Sequence, residues 1–75
     1  MARDVIGTVV NASGRGLIVK ASRMMNPGTH LVDVRNQAVG RVVDVIGPVN
    51  APYLLVNPGK GANVQRLVNR EVYTP

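Results

Sequence analysis

Few residues of this chain could perform covalent chemistry. The carboxylates are Asp4, Asp33, Asp44 and Glu71, scattered over four segments, and His30 is the single histidine. Ser22, His30 and Asp33 could be assembled on paper into a nucleophile, base and orienting acid. An odd spacing in an extended strand sends His30 and Asp33 to opposite faces, which breaks that arrangement. One histidine and four dispersed carboxylates also lack the compact spacing of a metal site. With no cysteine, thiol catalysis, thiolate ligation and disulfides are all absent. Pro58-Gly59-Lys60-Gly61 places a lysine among glycines but lacks the Gly, four residues, Gly-Lys-Ser/Thr order of a phosphate-binding loop. Gly14-Arg15-Gly16 reads as a hairpin tip more than as one unit of an Arg-Gly RNA-binding tail. The expectation is therefore no enzyme, with no catalytic residue, no cofactor, no metal and no small-molecule substrate.

A different kind of chemistry is offered by Ile46, Gly47, Pro48, Val49, Pro52 and Tyr53. Two prolines four positions apart fix φ at both ends of a short connection and stiffen it. Apolar Ile46, Val49 and Tyr53 stand where polar loop residues are the rule. A rigid apolar loop loses little conformational entropy on docking, so more of its burial energy appears as affinity. If the loop docks on a partner, Tyr53 beside Pro52 would be an anchor. The other reading of the same residues is a strand connection whose apolar groups tuck over the end of the fold.

The elements that would position this loop are strands. Valine occurs 15 times, against 3 isoleucines and 5 leucines, and β-branched side chains suit a pleated surface. Eight glycines and five prolines divide the chain into short apolar runs, the pattern of a small barrel or sandwich. Expected strands are Val5 to Val10, Leu17 to Ser22 with Leu17, Val19 and Ala21 on one face, Leu31 to Val34 with Val32 and Val34 on one face, Ala38 to Ile46, and Tyr53 to Val56. A last, broken strand is expected over Val64 to Val68 and Val72-Tyr73. Gly14 or Gly16 would turn the first hairpin, and Asn26-Pro27-Gly28-Thr29 is a turn. The run Ala38 to Ile46 is apolar on both faces, as expected of a strand that bends or carries a bulge near Gly40. Asn57 to Asn63 reads as a loop and His30 as a solvated turn residue. About six strands, few or no helices and no internal repeat make a closed small β-barrel the economical all-β architecture, because closure removes bare edges.

Seventy-five residues allow one domain, 1–75, with a core limited by its size. The charge balance of 9 basic against 4 acidic residues leaves +5, which favours acidic partners. Tyr53 and Tyr73 are the only aromatics, too few for a base-stacking platform. Composition thus suggests the company of nucleic acid without sequence reading. The basic residues are dispersed, and either a solvated surface or a diffuse field for a phosphate backbone would account for them. No apolar run approaches the roughly 20 residues of a membrane helix, and the N-terminus lacks a leader pattern. A soluble, intracellular protein without a membrane partner is expected.

The stretch VGRVVDVIGPVNAPYLLV, Val39 to Val56, resembles the signature of the Gar-type core protein of H/ACA ribonucleoproteins, which guide RNA pseudouridylation. Its first half, Gly40-x-Val42-x-Asp44, is shared with small PRC-type barrels. The second half, Gly47-Pro48-Val49-x-x-Pro52-Tyr53, is the distinguishing part. Val5 to Val10, Gly16 to Val19, Leu31 to Asp33 and Glu71 to Tyr73 follow the family's order, so the resemblance covers nearly the whole chain. It implies a six-stranded β-barrel similar to the second domain of translation elongation factors. It also implies a noncatalytic regulatory subunit that binds the catalytic domain of the pseudouridine synthase subunit. Such a subunit promotes substrate RNA loading and product release during rRNA pseudouridylation and ribosome biogenesis, and meets guide and substrate RNA indirectly.

Carried onto this chain, the resemblance implies a protein interface at Ile46, Gly47, Pro48, Val49, Pro52 and Tyr53, with Gly47 for close backbone approach, Pro48 and Pro52 for the loop's shape, and Ile46, Val49 and Tyr53 for apolar burial. Ile46 stands where relatives often carry Phe, so it would bury less area there. Neither a glycine-arginine-rich nor a lysine-rich tail is expected, which implies an archaeal type and a cytoplasmic location. Two alternatives stay open: a freestanding basic β-barrel that binds RNA or the ribosome, and a PRC-type barrel serving protein assembly.

Overall fold

In the computed structural model, which describes residues 5–13, 16–61 and 63–75, the β-branched runs are strands. They are β1 (Val5–Ser13), β2 (Gly16–Ala21), β3 (His30–Val32), β4 (Ala38–Ile46), β5 (Tyr53–Pro58) and β6 (Glu71–Tyr73). One helical turn, α1 (Val64–Leu67), precedes β6. The strands close into an antiparallel barrel in the order β1-β2-β5-β4-β3-β6, and β6 returns to β1. This is the expected all-β closed barrel of six strands. No helix among the described residues is long and apolar enough to cross a membrane.

The barrel interior is filled by aliphatic side chains alone. Ile6, Val9, Leu17, Val19, Leu31, Val39, Val42, Leu54, Val56 and Val72 are all essentially inaccessible to solvent, and no polar side chain among the described residues is buried with them. Alternation explains β2 and β5: Leu17, Val19 and Ala21, then Leu54 and Val56, point inward. Alternation fails in β1 and β4, where register shifts occur. Val10 is the extra residue of β1 against β2, and Val43 is the extra residue of β4 against β5. A further shift between Leu31 and Val32 leaves Val39 unmatched, beside Gly40, the place where the sequence predicts a bulge. Such insertions bend a strand and tighten its twist, and closing a barrel from so few strands demands that curvature. At Gly40 neighbouring strands also approach closely: a Cβ there would press on the Asn57 carbonyl oxygen and lie 2.9 Å from the Pro58 Cα.

Three expectations are corrected. The third strand ends at Val32, and Val34 is 71% exposed instead of sharing a face with Val32. The cause is Asp33, whose Oδ1 accepts the Arg35 and Gln37 backbone N–H groups at 2.8 and 2.9 Å and turns the chain. The fifth strand continues through Asn57 and Pro58, which by composition belong to a loop, because they pair with Arg41 and Gly40. Val64 to Leu67 is helical instead of extended, so that Val64, Leu67 and Val68 pack on the core from one side. Asn69, at φ 70°, ends that turn, and its N–H donates to the Val9 carbonyl at 2.7 Å. The expected turn at 26–29 is present, with the Thr29 N–H and hydroxyl both donating to the Asn26 carbonyl. Gly14 lies outside the described residues, and Gly16 opens β2 opposite Ser13.

Candidate functional site

The proline-bracketed segment is the connection between β4 and β5, and its two ends are fixed by pairing of Ile46 with Tyr53. Gly47 leaves β4 at φ 96°, a conformation that side chains disfavour. Pro48 follows, and the Ala51 N–H donates to the Pro48 carbonyl at 3.2 Å, closing a turn with Val49 and Asn50 at its corner. Val49 therefore projects from the tip and is 73% exposed. Pro52 lies at the other end with its ring buried, while its carbonyl accepts the Ala21 N–H at 2.9 Å. The loop is thus anchored to β2 as well as to its own strands.

These positions divide the six candidate residues into two groups. Ile46, Val49 and Tyr53 are exposed, at 53, 73 and 40%, and form the apolar surface of the loop; they do not tuck over the core. Pro48 is exposed beside them, in the stiff part of the turn. Pro52 has no surface to offer and is a support for the loop. Gly47 supplies a backbone angle more than a close approach, since a Cβ there would meet only the Tyr53 Cδ2, at 3.9 Å.

The apolar surface extends beyond the loop onto the outside of the barrel. Cross-strand partners share a face, so Thr8, Lys20, Tyr53 and Ile46 form one outward row across β1, β2, β5 and β4. The next outward row holds Asn11, Ile18, Leu55 and Asp44. Ile18 and Leu55 at its centre are only half-buried. The bulge residues Val10 and Val43, 44 and 45% exposed, flank that pair on either side. Sequence reasoning missed these four. Their signal was present in Leu17-Ile18-Val19 and Leu54-Leu55-Val56, where outward positions are apolar too, and in the doublets Val9-Val10 and Val42-Val43, which no unbroken alternation can bury.

Two of the three residues considered for catalysis serve the backbone. The Ser22 hydroxyl donates to the Ile6 carbonyl at 3.2 Å, Asp33 holds the turn after β3, and His30 is solvated as expected but opens β3, paired with Arg41, instead of standing in a turn. Among the described residues no cluster of three His, Cys, Asp or Glu side chains could hold a metal ion.

A family model described as the Gar1/Naf1 RNA binding region matches residues 4–75. A solved structure of the Gar1 domain of Naf1 superposes with a TM-score of 0.75 at 18% identity, over 99% of this chain and 85% of that one. An uncharacterized protein of Methanothermobacter thermautotrophicus is 26% identical over 66 residues, covering 87% of this chain and 72% of its own length.

Proposed function

The chain belongs to the Gar1/Naf1 RNA binding region family, and from that membership we propose that it is a noncatalytic regulatory subunit of an H/ACA ribonucleoprotein. It docks on the catalytic domain of the pseudouridine synthase subunit and promotes substrate RNA loading and product release during rRNA pseudouridylation. Its place of work is the cytoplasm. One observation carries the docking half of this reading: a doubly anchored loop displays Ile46, Val49 and Tyr53, continuous with the outward Ile18 and Leu55. Burying such a surface is favourable because it removes apolar area from water, and the stiff turn limits the entropy lost on binding.

The test is a Val49→Ala, Tyr53→Ala double substitution, followed by titration calorimetry against the synthase subunit. Anchors of this kind cost about 2–4 kcal/mol in affinity when truncated. Because both side chains project outward, the melting temperature should scarcely move. Unchanged affinity in a folded double variant would remove the loop from the interface.

A further inference from the structure

The end of the barrel away from the docking loop has the opposite chemistry. β4 and β5 are antiparallel, so the start of β4 and the end of β5 lie about 25 Å from the 47–52 loop, the length of a nine-residue strand. There a cleft of about 590 Å³ opens between the turn after β3 and the segment that carries α1. Arg35, Lys60, Arg66 and Arg70 line it. A second cleft of about 370 Å³ shares Ala38 and Lys60 with the first and adds Arg41 and His30. Five of the nine lysines and arginines therefore border these two adjoining clefts. All five are exposed, and none has an ion-pair or side-chain hydrogen-bond partner among the described residues.

Two acids, Asp33 and Glu71, also line the first cleft. The Asp33 Oδ1 already accepts two backbone N–H groups, which leaves that carboxylate less free to pair with the cations. Four cations against two acids leave the first cleft at +2, and Arg41 raises the combined surface to +3. Like charges gathered without partners repel one another, and an anionic ligand relieves that repulsion. Gln37 and Asn63 add amides that can donate and accept hydrogen bonds, as a ribose hydroxyl requires. No tyrosine lines either cleft, and His30 in the second is the single ring among the lining residues on which a base could stack, too little for a stacking platform.

We propose that this double cleft is a binding site for the sugar-phosphate backbone of RNA, read without regard to sequence. The inference rests on the RNA-binding side of the family assignment and is independent of where the synthase docks. It would let one barrel hold a protein at one end and RNA at the other.

Fluorescence anisotropy with a labelled single-stranded RNA of mixed sequence tests the site, at salt from about 50 to 200 mM. The variants are Lys60→Gln with Arg66→Gln in the cleft, and Lys20→Gln with Arg23→Gln outside it, each checked for an unchanged melting curve. The cleft variant should bind about tenfold more weakly, and its slope of log affinity on log salt should fall by about 0.7 for each phosphate that is no longer neutralised. The matched variant outside the cleft should stay within about twofold, and so should Val49→Ala with Tyr53→Ala. Retained RNA binding in that last variant, together with loss of synthase binding, separates the two surfaces. Absence of RNA binding by the unaltered protein would overturn the site. Equal weakening by both charge variants, or a marked preference for one homopolymer, would overturn it as well.

Discussion

Gly47 and Gly40 stand seven positions apart, and each is needed for a different reason. At Gly47 the backbone angle of 96° is the constraint, since a Cβ would find room beside Tyr53. Gly47→Ala should therefore cost about 1–2 kcal/mol of stability, the penalty of a left-handed residue, while the fold persists. At Gly40 the constraint is space, because a Cβ would strike the Asn57 backbone. Gly40→Ala should separate β4 from β5 and cost several kcal/mol, more than Gly47→Ala. Urea denaturation of the two variants gives the comparison directly, and equal midpoints would contradict it. Composition and pattern show two glycines in a β-rich segment. They do not show that one is held by torsion and the other by a neighbouring strand, since that depends on which strands meet.

Among the elements, β4 carries most of the information. Its bounds, Ala38–Ile46, are legible in the sequence because Asn36-Gln37 and Gly47-Pro48 punctuate it. Its facing is not, because the inserted Val43 resets the alternation midway. The same limit applies to β3, where the side chain of Asp33 ends the strand before Val34, and to α1, which a valine-rich run disguised as a strand. A four-residue helix holds too few turns to show periodicity, and its form is decided by packing against β1. Of the candidate site, the loop residues were legible from two prolines among apolar neighbours. Ile18, Leu55, Val10 and Val43 were not, because only the paired register reveals which way they point. Their outward placement makes a prediction at this scale. Val43→Gln should change unfolding free energy by about 1 kcal/mol or less, since the residue is 45% exposed. It should weaken synthase binding by about tenfold if the outer face joins the loop in the interface. Calorimetry showing wild-type affinity would confine the interface to the loop.

Seen whole, the barrel separates its tasks in space. The interior is a sealed aliphatic core, one end displays an apolar loop that continues onto Ile18 and Leu55 of the outer face, and the far end is cationic. With no aromatic and no polar side chain of the described residues inside, the core has only close packing to hold it. Leu54→Ala, at a fully buried position near the start of β5, should remove about 2–5 kcal/mol, a large part of the roughly 5–15 kcal/mol that domains ordinarily possess. A melting curve that barely shifts would mean that the core is less tightly packed than its burial indicates. A stable core leaves the outward apolar residues free of structural duty, which is why their exposure points to a partner.

The most direct measurement is titration of the unaltered protein into the pseudouridine synthase catalytic subunit, without RNA, at two salt concentrations and two temperatures. An apolar interface predicts binding that scarcely changes with salt and a negative heat-capacity change. Failure to bind, or binding that collapses as salt rises, would contradict the docking account.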